Sequence, residues 1–209
     1  MAFAFQIRTS ASQDRLEKLI EARLQPGADK QAIDRRIWDL FGEEWAIMVT
    51  DLAGFSRQVA EFGIIHFLQT IYESQKLLVP CIDQYDGILL KVEADSMLVI
   101  FRNIRKAIDC AVRMQQRVKA YNKDREEADK ILLCIGLGFG RVLHIGDEDV
   151  FGAEVNAASK LGEDTAKAWE ILVTSAVRDA ALELPHVTFT HIGNIPPGAS
   201  GAYKMHYKF

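Results

Sequence analysis

The chain has 209 residues, of which 49% are apolar and 26% charged, enough for one domain with a proper core and a short appendage. A net charge of -4 supplies no basic excess for nucleic acid, although a local site can still take a phosphate-bearing small molecule within an acidic whole. No apolar run is long enough to cross a bilayer, and MAFAFQIRTSASQ at the start lacks the basic and extended apolar regions of a secretory signal.

Residues 12 to 40 read as helix. SQDRLEKLIEARL places Leu16, Leu19, Ile20 and Leu24 at helical spacing, with Ser12 as the N-cap. QPGADK breaks it, and KQAIDRRIWDLF makes a second short helix with Ile33, Ile37, Leu40 and Phe41 on one side. This appendage is expected to pack on the domain. EWAIMVTD is a buried strand that ends at Asp51, followed by the turn LAGFS. Residues 57 to 84 are mostly helical, with a gap near Gly63 and a kink or restart near Pro80.

YDGILLK and SMLVIF are the next two strands. Asn103 caps a helix that carries Ile104, Ala107, Ile108, Ala111, Met114, Val118 and Tyr121 on one face. After the solvated loop NKDREEADK, ILLCIGLGFG and RVLHIG read as a strand pair, and FGAEVNAASKLGEDTAKA is helical from about Ala153. EILVTS is a strand, with Thr174 or Ser175 capping a short helix, and HVTFTHI and AYKMHYKF alternate in period two as paired strands. The order contains a βαββαβ core. It implies an α+β, ferredoxin-like fold with a mostly antiparallel sheet and flanking helices on one face. Cys81, Cys110 and Cys134 lie far apart in apolar runs and form no C-x-x-C pair, so they read as buried free thiols in a reducing compartment. The expected location is the cytoplasm.

Asp51 ends one strand and Asp95 sits in the turn between the next two. Turns favour Asp on their own account, which explains either residue singly. Together, at neighbouring strand ends, two carboxylates suit a hard divalent cation, which takes its other oxygens from water and phosphate. Gly54 lets backbone approach a ligand, and the helix start that follows offers unpaired N–H groups to phosphates. Asn156 and Lys160 are four apart on one helix face, where an amide and a cation suit a ribose and a phosphate; an ordinary helix surface has the same spacing. GLGFG is not a dinucleotide fingerprint, and its glycines read as strand irregularity.

VTDLAGFS, GILLKVEADSMLVIF, GLGFGRVLHIG and EDVFGAEVNAASKLGE, in that order, resemble the motifs of the class III adenylate and guanylate cyclase catalytic domain. The resemblance implies a catalytic domain over residues 43–209, the nucleotide cyclase fold, and an N-terminal helical extension over 1–42. It implies Asp51 and Asp95 as holders of two divalent cations, Mg or Mn. It places Lys91 and Asp149 at the purine-reading positions, where that pair suits ATP, and Asn156 at the ribose. Arg141 falls where some members bind the triphosphate, and Gly54 and Phe55 fall in the substrate-binding turn. The implied partner is a second copy, in a head-to-tail homodimer with sites between the subunits. Lys160 stands where the family has a transition-state Arg, and Lys lacks the planar fork. Ala94 replaces a Gly, and no phosphate-binding Lys precedes the last strands before Lys204. The expected activity is cyclisation of ATP to 3′,5′-cyclic AMP. The alternatives are a nucleotide-binding or dimerisation module with little turnover, or a cyclase acting on another nucleoside triphosphate.

Overall fold

The computed structural model describes residues 11–147 and 149–207, with all of their side chains except those of 55–58. The opening apolar stretch of the chain lies outside the described residues. Two helices come first, α1 (Ala11–Leu24) and α2 (Lys30–Phe41). Helix α1 already includes Ser12, so Ser12 is not its cap. Asp29 caps α2 by accepting the Ala32 N–H at 3.0 Å. Leu19, Ile37 and Phe41 pack with Ile145 and Leu143, which fastens this hairpin to the domain, while Leu40 faces outward.

The domain proper runs β1 (Gly42–Leu52), α3 (Phe55–Phe62), α4 (Ile64–Gln84), β2 (Ile88–Glu93), β3 (Ser96–Phe101), α5 (Ile104–Asn122), β4 (Leu133–Ile145), β5 (Asp149–Phe151), α6 (Ala153–Ser159), β6 (Ile171–Thr174), α7 (Ser175–Ala180), β7 (Val187–Ile192) and β8 (Ala202–Tyr207). Gly63, with φ of 85°, separates α3 from α4, and α4 continues through Pro80 without restarting. Asn103 caps α5 by accepting the Arg105 N–H at 2.9 Å. Among the described residues no helix is long and apolar enough to cross a membrane.

The sheet order is β2-β3-β1-β4-β6-β8-β7, with β5 paired to β4. All pairs are antiparallel except β4 with β6. The two halves of the expected strand pair in GLGFGRVLHIG form one strand instead. β4 keeps continuous register with β1 from Leu52↔Leu133 to Gly42↔Leu143, so nothing interrupts it.

Helices flank both faces, not one. Along β1, Ala46, Met48 and Leu52 join the large core with α4 and α5, while Trp45, Ile47 and Val49 join a second cluster with Val155 and Ala158 of α6. Alternation along a strand puts these sets on opposite faces. The three cysteines are free and buried, as their apolar surroundings imply.

Backbone contact sets the depth of α6. A Cβ at Gly136 would lie 2.1 Å from the Ala158 carbonyl oxygen, and one at Gly138 would lie 2.4 Å from that of Glu154. Ala158 and Glu154 are four apart, so successive turns of α6 rest on alternate residues of β4. Gly136→Ala is therefore expected to cost roughly 3 kcal/mol, the upper end for an overpacked core. Urea unfolding measures it, and a loss below about 0.5 kcal/mol, the scale of a neutral surface change, would contradict the close-approach account.

Candidate active site

Asp51 lies near the end of β1, opposite the start of β3. Ser96 donates its hydroxyl to Asp51 Oδ1 at 3.2 Å. Asp95 occupies the two-residue turn that joins β2 to β3, so the hairpin carries it to the same corner. Burial comes first among the causes that raise the Asp51 pKa from 3.8 to about 6, followed by the neighbouring charge of Asp95; Glu163 pushes the same way. Among the described residues no group of three or more His, Cys, Asp or Glu side chains gathers to enclose a metal. The corner is thus a pair of converging carboxylates, one of them poorly solvated, and that donor set fits a divalent cation completed by water and phosphate oxygens.

The turn that carries Asp95 is strained. Ala94 has φ of 52°, a conformation that glycine adopts freely and alanine adopts at a cost of about 1–2 kcal/mol.

Lys91 reaches the open face of the sheet through an irregularity in β2. Leu89 pairs with Val99 and packs in the large core, but Lys91 pairs with Leu98, one position on in β3. The bulge at Leu90 flips the alternation, so Lys91 joins the face of Leu90 and Leu98 instead of following Leu89 inward. There its Nζ meets Asp149 Oδ2 at 2.6 Å, while Asp149 Oδ1 accepts the Val150 N–H at 2.9 Å. Both side chains are partly buried.

A cavity of about 160 Å³ is lined by Lys91 and by Ser96, the partners of Asp149 and of Asp51. Lys91, Ser96 and Leu98 line it from the sheet, and Val155, Ser159 and Glu163 line it from α6 and the turn that follows. Pockets that enclose small ligands usually span about 300–1,000 Å³, so this cavity alone is too small to enclose a nucleotide.

The remaining sequence candidates are distributed unevenly. Asn156 is exposed on α6. Lys160 opens a single wide helical turn, Lys160–Thr165, and pairs with Asp164 at 2.5 Å on the surface, which raises its pKa. Arg141 sits away from the carboxylate corner. It pairs in register with Glu44, seven residues before Asp51, and its guanidinium donates to the Trp38 carbonyl at 3.1 Å and stacks on the Trp38 ring. That displacement along the strand is about 23 Å. Gly54 is left-handed, with φ of 92°, at the N-terminus of α3. Phe55 begins α3, and its side chain lies outside the described residues.

Three further residues emerge from the fold. Ser96 touches Asp51, Glu163 acts on Asp51 by charge and accepts the Ser159 hydroxyl at 2.5 Å, and Glu154 binds the sheet from beneath α6. Ser96 could have been suspected from its place beside Asp95. Glu154 and Glu163 read in sequence as ordinary helix-surface acids.

Folding raises the Asp51 pKa, so the native state holds that proton more tightly than the unfolded chain. The resulting stabilisation is full below the unfolded value near 4 and is lost as pH rises through about 6. In protein free of divalent cations, Asp51→Asn is expected to raise the Tm at pH 7–8 and to flatten the Tm profile between pH 4 and 7. A profile unchanged by the substitution would rule out a carboxyl strained by burial. Ala94→Gly is expected to gain about 1 kcal/mol in urea unfolding, and a destabilised variant would contradict the strained turn.

A protein-family model described as the adenylate and guanylate cyclase catalytic domain matches residues 42–207. A serine/threonine-protein kinase, pkn2, of Myxococcus xanthus is 29% identical over 131 residues, which is 63% of this chain but 16% of that protein. The chain thus spans a small part of that curated relative. A crystal structure of an adenylate/guanylate cyclase/hydrolase from Silicibacter pomeroyi superposes with a TM-score of 0.68 at 25% identity, covering 78% of this chain and 96% of that one. The adenylyl cyclase CyaB from P. aeruginosa shares the fold, with a TM-score of 0.66 at 18% identity over 80% of this chain and 96% of its own.

Proposed function

The chain belongs to the adenylate and guanylate cyclase catalytic-domain family, and we propose that it converts ATP to 3′,5′-cyclic AMP and pyrophosphate as a head-to-tail homodimer. The observation that carries this reading is the Lys91–Asp149 pair at 2.6 Å, whose lysine lines the same cavity as Ser96, the hydrogen-bond partner of Asp51. It offers one donor and one acceptor side by side. A Lys donor suits adenine N1, and an Asp acceptor suits the exocyclic amine. Guanine presents a carbonyl in place of that amine and would face Asp149 with the wrong polarity.

Asp51 and Asp95 hold two divalent cations, Mg or Mn, in this reading. Bound there, they would lower the pKa of the ribose 3′-OH and offset charge on the phosphates. Asn156 orients the ribose. The backbone at Gly54 and the start of α3, with Phe55, borders the phosphates. The 3′-oxygen bonds to the α-phosphorus, the bond from that phosphorus to the bridging oxygen breaks, pyrophosphate leaves with the electron pair, and the hydroxyl proton passes to solvent. Lys160 must leave Asp164 to reach the phosphates, and as a point charge it aligns them less firmly than an Arg fork would. Arg141 is engaged with Trp38, so a phosphate role for it would also require release. The small cavity supports a site completed by the second copy. The free buried thiols support a cytoplasmic address, and residues 1–42 serve as a helical extension to the catalytic domain of 43–209.

A second reading, a nucleotide-binding module with little turnover, draws on the Lys160–Asp164 pair and the strained Ala94. One assay separates the two. Purified protein is given each of the four nucleoside triphosphates with Mg or Mn, and cyclic product is detected by mass. Cyclic AMP from ATP is expected, abolished by a chelator and lowered about 100-fold or more in Asp51→Ala. Cyclic GMP instead would overturn the base assignment. No product from folded dimer would favour the binding module.

A further inference from the structure

Part of the outer edge of β4 has no strand beside it. β6 pairs with β4 only through Leu137, and β5 begins to pair at Leu143. The first turn of α6 fills this gap with a side chain. Glu154 Oε2 accepts the Phe139 backbone N–H at 3.0 Å and the Thr174 hydroxyl at 2.7 Å. Phe139 belongs to β4, and Thr174 ends β6 and is fully buried. One carboxylate oxygen therefore joins α6 to two strands. Without it, a strand N–H and a buried hydroxyl would lose their acceptor. Thr174 stands at the N-cap of α7 but makes no side-chain cap bond there, its hydroxyl being committed to Glu154.

The strand is shaped for this carboxylate. A Cβ at Gly138 would lie 3.2 Å from Glu154 Oε2, and one at Gly140 would lie 3.1 Å from Glu154 Cγ. Apolar packing of α6 comes from the half-buried Val155 and two alanines. The helix has seven residues, and its buried side chains are Ala157 and Ala158. So short a helix depends on tertiary contacts for its place.

Asn156 is two residues beyond Glu154. On a helix that step turns the side chain to nearly the opposite side, so Glu154 grips the sheet while Asn156 faces out. We infer that Glu154 is a positioning residue, whose carboxylate brace to Phe139 and Thr174 sets the roll of α6 on the strand and thereby places Asn156 against the nucleotide. The inference rests on the cyclase reading for what Asn156 meets, but not for the brace. Lys91 and Asp149 stand on β2 and β5, outside α6, so base recognition is left largely intact when the brace is cut.

A double-mutant cycle tests this. Steady-state turnover of ATP is measured for Glu154→Ala, Glu154→Gln, Asn156→Ala and the Glu154→Ala/Asn156→Ala pair, with thermal unfolding of each to confirm the fold. Glu154→Ala is expected to lower kcat about tenfold or more while KM changes less than about threefold. Glu154→Gln, whose amide oxygen accepts the same two bonds, is expected to keep kcat within about threefold of wild type. Adding Glu154→Ala to Asn156→Ala is expected to cost little more, because the two act through one group. Multiplying losses, or a Gln variant as poor as Ala, would overturn the proposal. If Glu154→Ala does not fold, Thr174→Val removes one of the two donors, and its smaller loss must likewise vanish beside Asn156→Ala. The cycle is also read on affinity for α,β-methylene-ATP. A wild type without turnover would sink the cyclase reading, while coupling in binding would uphold the brace and additivity would overturn it.

Discussion

The contact on which the candidate site depends is backbone against backbone, where α6 lies on β4. Gly136 and Gly138 remove the side chains that would hold the helix off the strand, and Gly162, just past the helix, does the same against Val49 of β1. A helix on a sheet normally rests on side chains; here it rests on the strand itself. That closeness lets a side chain as short as Glu154 reach a strand N–H. It also confines α6 to the middle of the sheet. Toward β3 and β2 on the same face, Lys91, Ser96 and Leu98 form the wall of the cleft.

The charges around that cleft are paired in some places and left unpaired in others. Lys91 and Asp149 neutralise each other across 2.6 Å, and Lys160 and Asp164 do so on the surface. Asp51 has a neighbouring acid and a serine hydroxyl instead of a counter-charge, so its burial and that acid both resist ionisation. The carboxylate corner is thus the part of the chain with most to gain from a cation, while the Lys91 pair already has its geometry. The two features call for different ligand chemistry, one for metal and phosphate and one for the edge of a base. One cavity is lined both by Lys91 and by Ser96, the hydrogen-bond partner of Asp51, so the two features open on one face of the chain.

Most of the architecture was legible in the chain. Helix and strand periods, the Gly63 break and the Asn103 cap each act over a few residues, and the elements they imply are present except that ILLCIGLGFG and RVLHIG form one strand. Misread features were those whose cause is distant in sequence. GLGFG was taken for strand irregularity, whereas β4 is continuous and its glycines answer to a helix about twenty residues later. Helices were expected on one face, but α6 covers the other, since period alone does not say which side of a sheet a helix will choose. Of the two cap candidates Thr174 and Ser175, Thr174 takes the N-cap position of α7, but its hydroxyl serves Glu154.

By itself the sequence determined the order of most elements and the acids near the ends of β1 and of the β2–β3 hairpin, while the left-handed φ that strains Ala94 came from the structure. The order and the acids follow from local rules of period and turn chemistry. Only the tertiary structure decided that Lys91 faces the cleft, because a one-residue bulge reverses the alternation that would have carried it inward beside Leu89. It also decided that Lys160 is held by Asp164, that Arg141 is held by Trp38, and that Glu154 braces α6. Each depends on which groups arrive at the same place, and a charged side chain in a sequence carries no record of which partner will reach it first.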